Sequence, residues 1–403
     1  MKQSQELSHG AITISVVMPV YNVAPYVERC LLSVMQQTHP AEECLIIDDA
    51  STDNSIALCE RLIANYDGPT RFTILHHDHN RGLSAARNTG TDAASGIYIY
   101  YLDSDDEMTT GCLEKLAAPV EQDDSIEMVM GDCSVATLVM NDRKHQLIWK
   151  LGTPQPRFMQ DTPLELKSNE EIRKWFYKGK GPRPFMVWNK LLKLSFIKEN
   201  RLYNKEGQLY EDVLWMYNLM RCLSHAAFIH EVTYLYYRRP GSICTGTKYD
   251  EQLRHRGYSY RELAEHIVPG EHLEETMCLH MGFCHYYIDA HDNPDFQFAY
   301  NAFRREISSA LHLSPGQAPV IGSTSSPSHL SPCQAPMIGS ASQLGSYSTG
   351  QLRSALWLLT AVHYLSKSRV GRFLFKTALR ARRLLQRIVH ALQSITYHRA
   401  RPQ

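Results

Sequence analysis

The stretch YYLDSDDE (residues 100–107) decides the reading of this chain. An apolar run ends at Leu102, and three carboxylates, Asp103, Asp105 and Asp106, follow within four residues. Packed so closely beside an apolar strand end, they repel one another unless a cation or solvent offsets them. A divalent ion held by one or two carboxylates and by substrate phosphates resolves the conflict, because Mg2+ and Mn2+ take hard oxygen ligands and keep positions open. A lone D-x-D is more often a solvated acidic turn than a metal site, and it is the position of this one, after the fourth strand of a β-α series, that raises it.

Upstream, short β-rich runs alternate with helical patterns. Ile14–Val20 is apolar, and Tyr26, Val27, Cys30, Leu31 and Val34 fall at helical spacing within 25–37. Cys44–Ile47 is apolar and ends at Asp48-Asp49; a helix is expected over 53–66, and Phe72–Leu75 and Ile97–Leu102 read as further buried strands. This β-α-β-α order predicts an α/β fold, a mostly parallel central sheet flanked by helices. Ligands of such sheets sit beyond the carboxyl ends of the strands. Tyr21-Asn22, Asp48-Asp49 and the acidic turn should therefore converge on one cleft. Asp49, ending a buried strand, is a candidate acceptor for a base or ribose hydroxyl, whereas Asp53 reads as a helix cap.

Downstream, 111–250 continues as a mixed region with one more strand at Met128–Val135, and Tyr210-Glu211-Asp212 opens an amphipathic helix. Residues 251–312 read as mainly helical. Then the character changes: 20 of the 38 residues in 313–350 are Ser, Pro or Gly, and LSPGQAPVIGS (313–323) returns as LSPCQAPMIGS (330–340). A charge-free, Pro-rich duplication cannot stack into a core, so it reads as a spacer. Residues 351–403 are helical by pattern, with apolar positions interleaved with Arg and Lys.

The 403-residue chain balances 42 Lys+Arg against 42 Asp+Glu. The balance hides a split: 351–403 holds 11 basic residues and no acid, while 1–312 carries all 42 acids and a net charge of −11. Any polyanionic surface is then met by the tail. A hydrophobic fraction of 43% excludes wholesale disorder, and ten scattered cysteines without a CxxC pair fit buried thiols rather than a zinc site or disulfide framework. Cys278, His280, Cys284 and His285 lack tetrahedral zinc spacing and read as packing. The N-terminus has no apolar signal region, and the apolar run at 354–366 is short of the roughly 20 residues of a membrane span. A cytoplasmic protein is expected.

Four motifs in order resemble a known family: VVMPVYN (16–22), IIDDASTDNS (46–55), NRGLSAARNTG (80–90) and YYLDSDDE (100–107). Together they look like the nucleotide-binding half of a family 2 glycosyltransferase with the GT-A fold, of the non-processive kind found in bacterial polysaccharide and lipopolysaccharide synthesis. The resemblance implies a UDP-sugar donor and a divalent metal, Mn2+ or Mg2+, on the diphosphate. It implies Pro19, Tyr21 and Asn22 around the base, Asp49 on uracil, Arg87 near the nucleotide, and Asp103 and Asp105 as the D-x-D. Asp105 is the expected metal contact, with Asp106 the alternative one residue on. More loosely it reaches residue 243, making Glu211-Asp212 the E-D element with Asp212 as general base, against a plain reading as helix-start charge. Trp188-Asn189-Lys190 and the Tyr237–Ile243 segment are similar to acceptor-side features of the family.

No Q-x-x-R-W follows the E-D element, so the resemblance is to enzymes that add one sugar, a hexose or N-acetylhexosamine, to a glycan or lipid-linked glycan and release it. The implied order is 1–110 for the nucleotide-sugar half, 111–250 for the acceptor half, 251–312 as a helical extension, 313–350 as linker and 351–403 as tail. Arg380, Arg382, Arg383 and Arg387 among Leu379, Leu384, Ile388 and Val389 make a basic amphipathic helix. Such a helix suits an anionic membrane surface, placing the enzyme peripherally on the inner face of the cytoplasmic membrane. A sugar nucleotidyltransferase is a rival, but no Gly-rich triphosphate loop follows the first strand. A non-enzymatic binder of anionic surfaces is another; nucleic acid is not an expected partner, since the acidic body would repel it.

Overall fold

Seven consecutive buried residues, Ile14–Val20, form the central strand β1. The computed structural model describes residues 12–141, 146–151, 162–178, 185–239, 242, 247–267, 273–310 and 349–366. After β1 come α1 (Ala24–Met35), β2 (Glu43–Asp48), α2 (Ser55–Ala64), β3 (Arg71–His76), α3 (Leu83–Ala93) and β4 (Tyr98–Tyr101). The four strands pair in parallel in the order β3-β2-β1-β4, with Val17 level with Leu45 on one side and Tyr101 on the other. Strands covered on both faces become continuous apolar runs, which is how β1, β2 and β4 appear in the sequence. β3 differs from the buried strand expected there. It lies at the edge, pairs only with β2 among the described residues, and is partly exposed along its length.

The chain continues through β5 (Glu107–Met108), α4 (Cys112–Gln122), β6 (Met128–Asn141), β7 (Gln146–Leu151), β8 (Glu165–Leu166), α5 (Asn169–Lys178), β9 (Lys190–Lys193), α6 (Leu194–Glu199), α7 (Glu211–Cys222) and β10 (Ala226–Arg238). These strands extend the same sheet as β4-β9-β6-β10-β5, with β7 on β6 and β8 on β10. β9 runs antiparallel to β4 and β6, while β6 and β10 are parallel. The sheet is therefore parallel through its first four strands and mixed beyond, ten strands in all among the described residues.

Among the described residues, those up to Lys248 and those from Tyr249 form two compact units. The second unit contains α8 (Tyr249–Glu265), α9 (Leu273–Ala290), α10 (Pro294–Ala310) and α11 (Thr349–Ser366). Its core is aromatic: Phe283 meets Phe303 edge-on at 5.1 Å, and the Tyr287 hydroxyl bonds His363 Nδ1 at 2.9 Å. The duplicated linker and the basic tail beyond Ser366 lie outside the described residues. Among the described residues no helix is long and apolar enough to cross a membrane. Cys30, Cys44, Cys59, Cys112, Cys133, Cys222 and Cys284 are free thiols, all but Cys222 buried. Of the Cys278, His280, Cys284 and His285 group, only the Cys284 side chain is described.

Two contacts fix the first half. α3 lies so close on β1 that a Cβ at Gly90 would stand 2.3 Å from Val17 Cγ1. Beneath the sheet's amino-terminal end, buried Glu43 accepts from Ser15 Oγ at 2.7 Å, from the Ser95 amide and hydroxyl at 2.8 Å, and from Arg71 at 2.6 Å. Burial pushes this carboxyl up, but the Ser15, Arg71 and Ser95 donors outweigh it and hold it at about 2. A depressed carboxyl stabilises the fold above its unfolded value of 4.5, and that contribution drains away as pH falls toward 2. Glu43→Gln should accordingly be less stable than wild type at neutral pH, with the gap closing between pH 4.5 and 2. Urea melts across that range check this; a gap independent of pH would remove Glu43 from the acid response.

Candidate active site

The parallel order brings the carboxyl ends of β1, β2 and β4 to one edge of the sheet, and each is held by local hydrogen bonds. After β1, Asn22 turns into the left-handed region at φ 50, and its Oδ1 accepts from the Thr52 and Asp53 amides at 2.8 and 3.3 Å. Asp53 accepts from the amides of Ala24 at 3.0 Å and Ser55 at 2.9 Å, so it serves the starts of both α1 and α2. Pro19 costs β1 no ladder bond with β4, since the last residue pair between those strands is Val17 with Tyr101. Tyr21 is 46% exposed beside this turn.

After β2, Asp49 is buried and both of its oxygens are engaged. Oδ1 meets His77 Nδ1 at 2.7 Å and the Arg81 amide at 2.8 Å, and Oδ2 accepts from the Gly82 amide at 2.8 Å. Gly82, at φ +89, is where the chain turns into α3. Asp49 thereby fixes the segment that launches α3, and α3 carries the residue that joins the two halves of the site.

That residue is Arg87. Its side chain is 3% exposed; Nη1 donates to Glu211 Oε1 at 2.6 Å and Nη2 to Asp103 Oδ1 at 2.7 Å. Burial disfavours the guanidinium charge, but Asp103 and Glu211, with Asp212 behind them, more than restore it. Asn88, the next residue, makes a reciprocal pair with the backbone of Asn204, at 2.9 Å to its carbonyl and 2.8 Å from its amide. Two adjacent side chains of one helix thus hold both the loop before α7 and the first residue of α7.

The acidic turn divides its carboxylates. Asp106 is 1% exposed and accepts from the Tyr234 hydroxyl at 2.8 Å and the Tyr237 amide at 2.7 Å. Burial, then Asp105 and Asp103, drive this carboxyl well above the usual range. Asp105 is also raised, by burial and then by Asp103, against the pull of Arg239, whose Nε lies 2.7 Å from Oδ2. Arg29 closes the turn: it donates to the Asp105 carbonyl at 2.7 Å, pairs with Glu107 at 2.5 Å, and lies 3.6 Å from the centroid of the Tyr237 ring. Asp103 and Asp105 remain partly exposed at 23% and 21%, so the less enclosed pair of hard oxygen donors is at these two positions.

Asp212 follows Glu211 in the first turn of α7, after Tyr210 in the left-handed region at φ 60, and its Oδ1 accepts from the Val213 amide at 2.9 Å. Behind it is Lys190, fully buried, with its ammonium on the carbonyls of Met186 and Trp188. Burial pulls Lys190 down to about 7, opposed by Cys133 and Asp212. Trp188 stacks on Tyr234 at 4.2 Å, linking this segment to the partner of Asp106. The structure thus brings Arg87, Asp103 and Glu211 into direct contact, with Asp105 and Asp212 next to them. Asn22 and Asp49 share the edge but bond to their own loops. Arg29, Asn88 and Tyr234 were missed as site residues. A separate group, Asp123, Glu165 and His225, gathers near the start of β10, where His225 bonds Glu165 at 2.7 Å.

Residues 15–172 match the glycosyl transferase family 2 model. Glycosyltransferase GlyG of Streptococcus pneumoniae serotype 4 is 28% identical over 231 residues, covering 57% of this chain and 72% of its own. The cholesterol galactosyltransferase of Borreliella burgdorferi is 26% identical over 234 residues, covering 57% of this chain and 61% of its own. Among solved structures, S. aureus TarS 1–349 in complex with UDP-GlcNAc matches with a TM-score of 0.55 at 18% identity, over 75% of this chain and 84% of that one. The likeness is one of fold, the α/β GT-A arrangement continued by helices. All four motifs lie inside the matched region with this sheet beneath them, so residues 15–172 are similar to glycosyl transferase family 2.

Proposed function

We propose that this protein transfers a single sugar from a UDP-sugar to a hydroxyl of a glycan or glycolipid, with inversion at the anomeric carbon. The observation that carries the reading is the buried Arg87, which holds Asp103 of the acidic turn and Glu211 of α7 on one guanidinium. The two motifs a sugar transfer needs, one beside the diphosphate and one beside the acceptor, are then a single rigid unit. The complex of the structurally similar TarS with UDP-GlcNAc supports a UDP-sugar donor.

In this reading Asp212 is the general base. Placed in the first turn of α7, it sits where the helix dipole favours an ionised carboxylate. The acceptor hydroxyl gives its proton to Asp212 as its oxygen attacks the anomeric carbon; the bond from that carbon to the diphosphate breaks, and its electron pair leaves on UDP. Mn2+ or Mg2+ fits Asp103 and Asp105: they are hard oxygen donors, and burial and then the Asp103 charge raise Asp105 against the pull of Arg239. Bound there, the ion supplies charge stabilisation to the leaving diphosphate. Asp106 is less suited as a ligand because Tyr234 and Tyr237 already hold both its oxygens. The resemblance in the motifs is what supports a place in surface-polysaccharide synthesis. A lipid-linked acceptor agrees with the cationic tail, which beyond Ser366 lies outside the described residues, and with the name of the cholesterol galactosyltransferase relative.

Calorimetry with UDP-, GDP- and dTDP-sugars, with and without Mn2+, should find metal-dependent binding of one UDP-sugar in the wild type and its loss in Asp105→Ala. Equal affinity in both proteins would remove Asp105 from the site. Asp212→Asn should keep donor binding and lose about 100- to 10,000-fold in turnover; near wild-type turnover would refute the base. Arg87→Met leaves Glu211 and Asp103 facing each other without a counter-ion, and denaturant melts should register a loss of about 3–5 kcal/mol. An unchanged midpoint would mean the guanidinium is not what joins the halves. For the tail, flotation on anionic liposomes should retain the full chain and release a 1–366 truncation, which keeps α11, and equal flotation would discard the membrane role.

A further inference from the structure

Three arginines hold the acidic turn, and they are not equivalent. Arg87 is enclosed, with both arms on carboxylates. Arg29 is clamped by Glu107, by the Asp105 carbonyl and by the Tyr237 ring 3.6 Å away. Arg239 follows the last residue of β10, meets the Asp105 side chain through Nε, and lies more loosely over the Tyr26 ring, 4.8 Å from its centroid. Its side chain is 18% exposed, against 3% for Arg87 and 28% for Arg29, so what sets Arg239 apart is its bond to the Asp105 carboxylate itself.

We propose that Arg239 is an exchangeable counter-ion: it neutralises Asp105 in the donor-free protein and transfers to the diphosphate of the donor when a divalent cation takes Asp105. The inference rests on the donor reading above and extends it. A cation arriving at Asp105 meets a guanidinium already there, and like charges at that separation cannot share one carboxylate without cost. The donor enters with negative phosphate oxygens of its own, so Arg239 exchanges one charge-assisted bond for another of the same kind. A guanidinium has five N–H donors in a planar fork, which suits it to phosphate. The Tyr26 ring, at the start of α1, gives the guanidinium a face to rest on near the turn. Arg29 and Arg87 keep the turn in shape throughout, because neither depends on the Asp105 side chain.

The exchange predicts changes of opposite sign. Mn2+ binding without nucleotide, followed by electron paramagnetic resonance, should tighten in Arg239→Ala, because a competitor has left Asp105. UDP binding in the presence of Mn2+, measured by calorimetry, should weaken in the same protein, each effect being about tenfold for one charge-assisted bond. Arg239→Gln, which keeps a planar N–H donor without the charge, should move both values in the same directions and serves if the alanine variant folds poorly. Asp105→Ala subtracts Mn2+ bound elsewhere, including at Asp123, Glu165 and His225. If both affinities fall together, Arg239 only props the turn and the proposal is overturned; if neither moves, it is overturned as well. Wild type that binds Mn2+ but no UDP overturns the donor reading, while the nucleotide-free arm still decides whether Arg239 competes for Asp105.

Discussion

A single buried guanidinium sets the terms for this molecule. Arg87 has almost no contact with solvent, so its charge survives only if carboxylates surround it, and those carboxylates lie 16 and 124 residues away along the chain. The reverse also holds: Glu211, buried at the start of α7, needs the cation. The close approach of α3 to β1 at Gly90 and the grip of Asp49 on the Arg81 and Gly82 amides exist in service of this placement. Shifting α3 by even one residue would turn Arg87 away from both partners, since successive helix positions are rotated by about 100°.

The carboxylates of the acidic turn acquire different properties although they are nearly adjacent. Environment decides: Asp106 is sealed under Tyr234 and the Tyr237 amide, Asp103 is neutralised by an enclosed arginine, and Asp105 faces a more accessible one. Burial raises the cost of charge at Asp105 and Asp106, so each proton or cation arriving nearby is felt strongly. Lys190 repeats the theme behind Asp212, a cation lowered to about 7 by burial and tethered by two carbonyls.

Much of this was legible in the sequence, and unevenly so. β1 runs over the residues its apolar stretch marks, because a strand covered on both faces has nothing polar to interrupt it. β3 has a similar apolar stretch but sits at an edge, and composition alone does not distinguish the two. β10 was missed: His230 and Glu231 break its apolar run, and register shifts between Phe228 and Tyr234 spoil the two-residue alternation. β9 is four residues long and begins and ends in lysine. The motifs marked Asp103, Arg87 and Glu211 separately. That Arg87 joins the other two was beyond reach, since no spacing rule links residues so far apart, and Asn88 was hidden in a motif read only for its neighbour.

The parallel pairing of β6 with β10 bears on how the chain acquires its shape. Met128 is level with Ala226 and Thr137 with Arg238, so about a hundred residues must be made before the two strands can meet. Contacts of such separation are slow to form, because the entropy of closing the loop is lost before pairing returns anything. The strands β1 to β4 and their helices close over much shorter loops. During synthesis the motif-bearing half can therefore collapse early, while α7, which lies between β6 and β10 in the chain, docks late. Chains caught in between would expose the β4 edge, an unpaired strand open to wrong pairing until β9 covers it.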